Sequence, residues 1–122
     1  MYKIYHNSRC KISRQVLDRL KETGDEIVII DYINKKLTPI ELSKLLNELH
    51  LKPDDLIRKN EILYKTEYKN KNFSPDEWIR ILCKNPKLIE RPIVLKGYNA
   101  IICRPPERIE EFINGKTFNY DF

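Results

Sequence analysis

The chain has 122 residues, 41% of them hydrophobic, and no long polar tract, which fits one packed domain and argues against disorder. No stretch approaches the roughly 20 apolar residues that cross a bilayer, and the opening Tyr2-Lys3-Ile4-Tyr5 does not read as a signal peptide, so the expected compartment is cytoplasmic. Lysine and arginine outnumber aspartate and glutamate 23 to 18, for a net charge of +5, a balance that suits a solvated basic surface or attraction to an anion.

In chain order, residues 2–6 read as a strand. Ile12, Val16, Leu17 and Leu20 then share one helical face, with Gly24 at a natural stop. Ile27-Val28-Ile29-Ile30 is a continuous apolar run that reads as a buried strand. Strand, helix and strand within about 32 residues make a βαβ unit with a parallel pair. Thr38-Pro39-Ile40-Glu41 combines an N-cap, a first-turn proline and a capping-box glutamate, and it opens a helix with Leu42, Leu45, Leu46 and Leu49 inward. Pro53-Asp54-Asp55 starts a short helix that runs through Arg58. Ser74-Pro75-Asp76-Glu77 repeats the capping pattern and turns Trp78, Ile79 and Leu82 inward, while the polar residues 65–73 before it read as an exposed loop. The stretches Pro92-Ile93-Val94-Leu95-Lys96 and Ala100-Ile101-Ile102-Cys103 flank Gly97-Tyr98-Asn99, a hairpin signal. Pro105-Pro106-Glu107 begins a last helix with Ile109, Phe112 and Ile113, and residues 116–122 read as a short loose tail. Neither a repeat nor a second domain is visible.

The cysteines, Cys10, Cys83 and Cys103, are odd in number and belong to no C-x-x-C pair, which argues against a disulfide framework. With His6 and His50 the only histidines, no metal site is expected; His50, at a helix end, reads as a dipole partner. Cys83 and Cys103 read as core residues. Cys10 differs, because it stands where the first strand gives way to the first helix, in His6-Asn7-Ser8-Arg9-Cys10-Lys11-Ile12-Ser13-Arg14. A helix start offers unpaired N–H groups and the positive end of a dipole, and both stabilise a thiolate. Arg9, Lys11 and Arg14 add positive charge, and His6, which ordinarily titrates near pH 6.5, is a candidate to tune the sulfur. Ser13 occupies the place of the second cysteine of a C-x-x-C motif. It rules out an internal disulfide there, and its hydroxyl is a candidate donor to the thiolate.

The order βαβ…ββα, with a cysteine at the first helix start and a proline opening the third strand, looks like an α/β thioredoxin-like fold. A helical insertion of about residues 38–89 would separate its two halves within a single domain, 1–122. Four blocks sharpen this: His6-Asn7-x-x-Cys10, Leu56-Ile57-Arg58-Lys59-Asn60, Ile89-Glu90-Arg91-Pro92-Ile93-Val94 and Cys103-Arg104-Pro105. In this order they resemble the glutaredoxin-coupled arsenate reductase (ArsC) family. The resemblance implies that Cys10 attacks an oxyanion gripped by Arg58, Arg91 and Arg104, and that Pro92 follows a cis peptide bond beside the cysteine. It also implies no bound cofactor, with glutathione as external co-substrate and glutaredoxin as the partner that regenerates Cys10. The chemistry suits the residues, since arginine's planar fork binds tetrahedral oxyanions by paired, charge-assisted hydrogen bonds.

Other readings stand beside it. Related Spx-type regulators bind RNA polymerase and sense oxidation through a C-x-x-C switch, which Ser13 removes here. A glutathione-dependent thiol reductase acting on a disulfide rather than on arsenate would use the same cysteine. Nucleic-acid binding lacks a motif, and the lysines are scattered. The phosphatase-like C-x5-R loop of another arsenate reductase chemistry is absent, because Val16 stands where its arginine would be.

Overall fold

A computed structural model describes residues 1–116; the tail expected at 116–122 lies outside the described residues from 117 onward. β1 (Tyr2–Tyr5) and β2 (Ile27–Ile30) pair in parallel, with Tyr5 opposite Ile30. α1 (Lys11–Lys21) crosses between them, as the βαβ reading requires. β3 (Ile93–Lys96) runs antiparallel to β1 and places Ile93 opposite Tyr5, and β4 (Asn99–Ile102) runs antiparallel to β3. The sheet order is β2-β1-β3-β4, and α4 (Arg108–Ile113) follows it. The hairpin turn is Gly97-Tyr98; Gly97 takes a φ of +61°, the left-handed region that glycine enters without a steric penalty.

Between β2 and β3 lie α2 (Pro39–Leu49), a 3-10 turn (Pro53–Leu56), a π-helical turn (Tyr64–Tyr68), α3 (Pro75–Lys84) and a second 3-10 turn (Pro86–Leu88). Both expected capping boxes form. The hydroxyls of Thr38 and Ser74 accept the N–H groups of Glu41 and Glu77, whose carboxylates accept the cap N–H in return. His50 closes α2 as its C-cap with a φ of 57°.

Side chains alternate along the strands and divide the core into two. Tyr2, Ile4, Val94, Ile101 and Cys103 face α1 and α4, meeting Val16, Leu17, Leu20, Ile109 and Phe112. Ile93, Leu95, Ala100 and Ile102 face the inserted helices, meeting Leu42, Leu45, Leu56, Leu82 and Leu88. The alternation follows from the two-residue period of a strand.

One expectation fails and another holds only in part. β2 is not a buried strand: Val28 and Ile29 are 36% and 48% exposed. It lies at the sheet edge, while α2 packs on β4 at the other, so a run that is apolar throughout is covered only in part. Residues 65–73 are exposed as expected except at Tyr68 and Phe73, but their first part is the π-helical turn rather than loop. Tyr68, Phe73 and Trp78 form an aromatic trio, with Phe73 edge-on to Trp78 at 4.9 Å between centroids. Tyr68 and Phe73 pack against the insertion core, and residues 69–72 between them stay exposed. Among the described residues no helix is long and apolar enough to cross a membrane.

Candidate active site

All four strands contribute to one end of the sheet. The chain leaves β1 there into the Cys10 loop and leaves β2 there into Asp31-Tyr32; it enters β3 there from Arg91-Pro92 and leaves β4 there into Cys103-Arg104. The Cys103 N–H donates to Pro92 O at 2.9 Å, and Arg104 Nε donates to Arg91 O at 2.7 Å. These bonds fasten two of the candidate arginines to one another. The Arg91–Pro92 bond is cis, as is Arg104–Pro105, which the sequence reading did not anticipate.

Arg58, on the insertion, lies beside the segment that carries Arg91. Ile57 bridges Ile89 in antiparallel fashion, the Arg58 N–H donates to Leu88 O at 2.6 Å, and the Glu90 N–H donates to Leu56 O at 2.8 Å. This two-sided backbone clamp lays the segment carrying Arg58 alongside the one carrying Arg91. The Arg58 guanidinium meets Glu61 at 3.5 Å and Glu90 at 3.9 Å.

Cys10 is the N-cap of α1, with extended backbone angles, and is partly exposed. Arg104 Nη2 lies 3.7 Å from its sulfur, within the range of a hydrogen bond to sulfur. Burial is the largest influence on the thiol and works against ionisation, but the Ser13 N–H, the Arg91 guanidinium and the charge of Arg104 together outweigh it. The net result is a thiol held below its ordinary value, as expected for a sulfur beside a helix start and two cations. The sulfur makes no close capping hydrogen bond, so Ser13 acts on it as a nearby dipole. The other cysteines behave oppositely: burial raises Cys83 and pushes Cys103 up to about 12.

Of the remaining candidates, His6 and Ser13 pair with each other. Both are buried, and His6 Nδ1 lies 2.6 Å from Ser13 Oγ, which also accepts the Asn7 N–H. The Ser13 hydroxyl is thus engaged with His6, and its backbone is what addresses Cys10. Burial lowers the His6 pKa, reinforced by Lys21 and Arg14 against the pull of Asp31 and Asp18, so the ring is neutral at pH 7 and can accept the serine proton. Arg9 is exposed, and its N–H donates to Asn7 Oδ1. Arg91 is buried, with Nη1 donating to Lys87 O at 3.1 Å.

Sequence reasoning missed two residues. The Glu90 carboxyl lies among Arg104, Arg58 and Arg91; burial raises its pKa and the three guanidinium groups oppose the rise. Tyr32, directly after β2 and Asp31, has its hydroxyl within the electrostatic reach of Cys10 and the same arginines. The available signal was topological: a residue that follows a strand parallel to β1 must emerge beside the loop that follows β1. Among the described residues no group of three or more His, Cys, Asp or Glu side chains gathers to hold a metal.

Arginines thus lie beside a cysteine of lowered pKa at one end of a thioredoxin-like sheet. The family model described as the ArsC family matches residues 5–112, and the chain belongs to that family. It is 39% identical over 113 residues to the uncharacterized protein YfgD of Escherichia coli (strain K12), covering 91% of this chain and 95% of that protein. To an arsenate reductase of the same strain it is 34% identical over 111 residues, covering 90% and 79%. Among solved structures, a putative arsenate reductase from Yersinia pestis superposes with a TM-score of 0.85 at 35% identity, covering 91% of this chain and 99% of that one.

Proposed function

We propose that this protein is a thiol-dependent oxidoreductase of the arsenate reductase type, with Cys10 as nucleophile and Arg58, Arg91 and Arg104 as the oxyanion cradle. The observation that carries this reading is that Arg91 and Arg104, from separate segments, both act on one ionisable sulfur, with Arg104 Nη2 3.7 Å from Sγ, while the segment bearing Arg58 is clamped alongside that of Arg91. A thiolate repels a dianion unless cations neutralise the oxygens, and guanidinium forks do this while fixing the geometry of attack.

In the first step the Cys10 thiolate attacks the arsenic of arsenate. A sulfur–arsenic bond forms, an arsenic–oxygen bond breaks, and the departing oxygen leaves as water after taking two protons. Glutathione thiol then attacks the Cys10 sulfur of the adduct. A sulfur–sulfur bond forms as the sulfur–arsenic bond breaks, and its electron pair stays on arsenic, which leaves as trivalent arsenite. Glutaredoxin frees Cys10 from the mixed disulfide by thiol exchange. External thiols are needed because Cys83 and Cys103 are buried and Ser13 stands where a resolving cysteine would.

The test is arsenate-dependent NADPH oxidation with glutathione, glutaredoxin and glutathione reductase supplied. Turnover by the wild type and its loss in Cys10→Ser is the expected result. A wild type that turns over no arsenate under these conditions overturns the assignment.

A further inference from the structure

Two buried polar atoms point to a part of the cradle that the chemistry above does not use. Tyr32 is 1% exposed, with its ring 6.5 Å from that of Tyr5. It lies two residues beyond Ile30, whose carbonyl accepts the His6 N–H at 3.0 Å; the chain therefore delivers it beside the start of the Cys10 loop. A buried tyrosine hydroxyl normally finds a hydrogen-bond partner. Among the described residues, the Tyr32 hydroxyl and Arg91 Nε are the buried side-chain polar atoms that have none. The charges that act on the hydroxyl are those of Arg91, Cys10, Arg58 and Arg104, which are the proposed nucleophile and all three proposed cradle arginines. A phenylalanine would fill this core position without leaving a polar group unpaired. The hydroxyl makes sense if its acceptor arrives with the ligand.

We propose that the Tyr32 hydroxyl is a fourth ligand of the oxyanion, a neutral donor that hydrogen-bonds one oxygen of a tetrahedral anion seated between Cys10 and the arginines, with Arg91 Nε as its orphaned companion. This rests on the oxyanion reading of the site. Burial holds the phenol well above its ordinary range, so it stays protonated wherever Cys10 is a thiolate. A neutral donor has a consequence that a fourth cation would not. It strengthens the grip on the anion without adding to the field that ionises the sulfur, so anion binding and thiol acidity are separable at this residue.

Tyr32→Phe exploits that separation. Arsenate and inorganic phosphate binding is measured by calorimetry, KM and kcat for arsenate in the coupled assay, Cys10 acidity from the pH profile of alkylation, and integrity from thermal unfolding. The variant should unfold no earlier than wild type and keep the same alkylation midpoint. It should bind both anions roughly 10- to 100-fold more weakly, the loss expected for a hydrogen bond to a charged group, with a matching rise in KM. In the wild type, either anion should produce a tyrosine ultraviolet difference spectrum that the variant lacks. Wild-type affinity in the variant overturns the proposal alone, as does a weakened affinity accompanied by a shifted alkylation midpoint, which would mark Tyr32 as acting through the thiol. A wild type that binds neither anion overturns the oxyanion reading and this proposal together.

Discussion

Beneath α1 and α4 the sheet buries hydrocarbon and the inert Cys103, and every buried side-chain polar atom on that face has a partner among the described residues. Beneath the inserted helices the same strands bury a larger set of leucines, yet Tyr32 and Arg91 are left with unpaired polar atoms where that face meets the Cys10 loop. Unpaired buried donors are costly. Both lie outside the inserted helices, in segments that act on or are acted on by Cys10, so the unpaired atoms belong to the thioredoxin-like part of the chain. What the insertion contributes is the Ile57–Ile89 bridge, which sets the segment bearing Arg58 beside the one bearing Arg91.

The widest contrast that tests this division is chemical. Cys10 lies at the open end of the sheet with its pKa lowered from 9.0, whereas Cys103 lies in the sealed face with its pKa pushed up to about 12. At neutral pH the thiolate fraction should therefore be far larger at Cys10 than at Cys103. Iodoacetamide labelling followed by peptide mass mapping should find Cys10 modified first, then Cys83, with Cys103 protected until unfolding. Comparable rates at Cys10 and Cys103 would erase the distinction between the faces.

A mutation confined to the insertion comes next. Leu42 is fully buried among its neighbours, so Leu42→Ala should cost about 2–5 kcal/mol in a denaturant melt. The groups that acidify Cys10 belong to positions 13, 91 and 104, and the alkylation midpoint of the folded variant should therefore not move. A shifted midpoint would show that the insertion core sets thiol acidity as well as anchoring Arg58.

The smallest effect concerns pH. The folded-state pKa of His6 lies below its ordinary 6.5, chiefly because of burial. As pH falls through 6.5, the unfolded chain takes up this proton before the folded chain does. The contribution of His6 is then complete above that pH and lost progressively below it. His6→Gln should flatten the pH dependence of the melting temperature between about pH 6.5 and the depressed folded value; an unchanged slope would show that the proton is taken up elsewhere.

Much of this arrangement was legible from the chain. Capping boxes at Thr38 and Ser74, the glycine turn at 97 and the parallel β1–β2 pair are local or near-local signals, and each appears in the structure. What escaped depends on the neighbours an element acquires. A β-branched run such as Ile27–Ile30 reads the same at a sheet edge as at its centre, because its own residues do not reveal which face is covered. Tyr68 and Phe73 sit in a polar stretch, and only their packing against Trp78 shows that the stretch is held down. In the site, the placement of Cys10 followed from a strand meeting a helix, while the three arginines were identifiable only by resemblance. Tyr32 carried no spacing signal, and Glu90 was visible only as a letter inside a block.

The acidity of Cys10 is contributed by residues as far away in sequence as Arg104, joined to it by strand pairing and the Arg104–Arg91 tether. A newly made or denatured chain carries these groups dispersed, and its thiols have only ordinary reactivity. The sulfur thus becomes a potent reagent only once β3 and β4 have docked. Until then Cys10 lacks its acidifying neighbours, and the onset of rapid labelling there serves as a built-in clock for completion of the sheet.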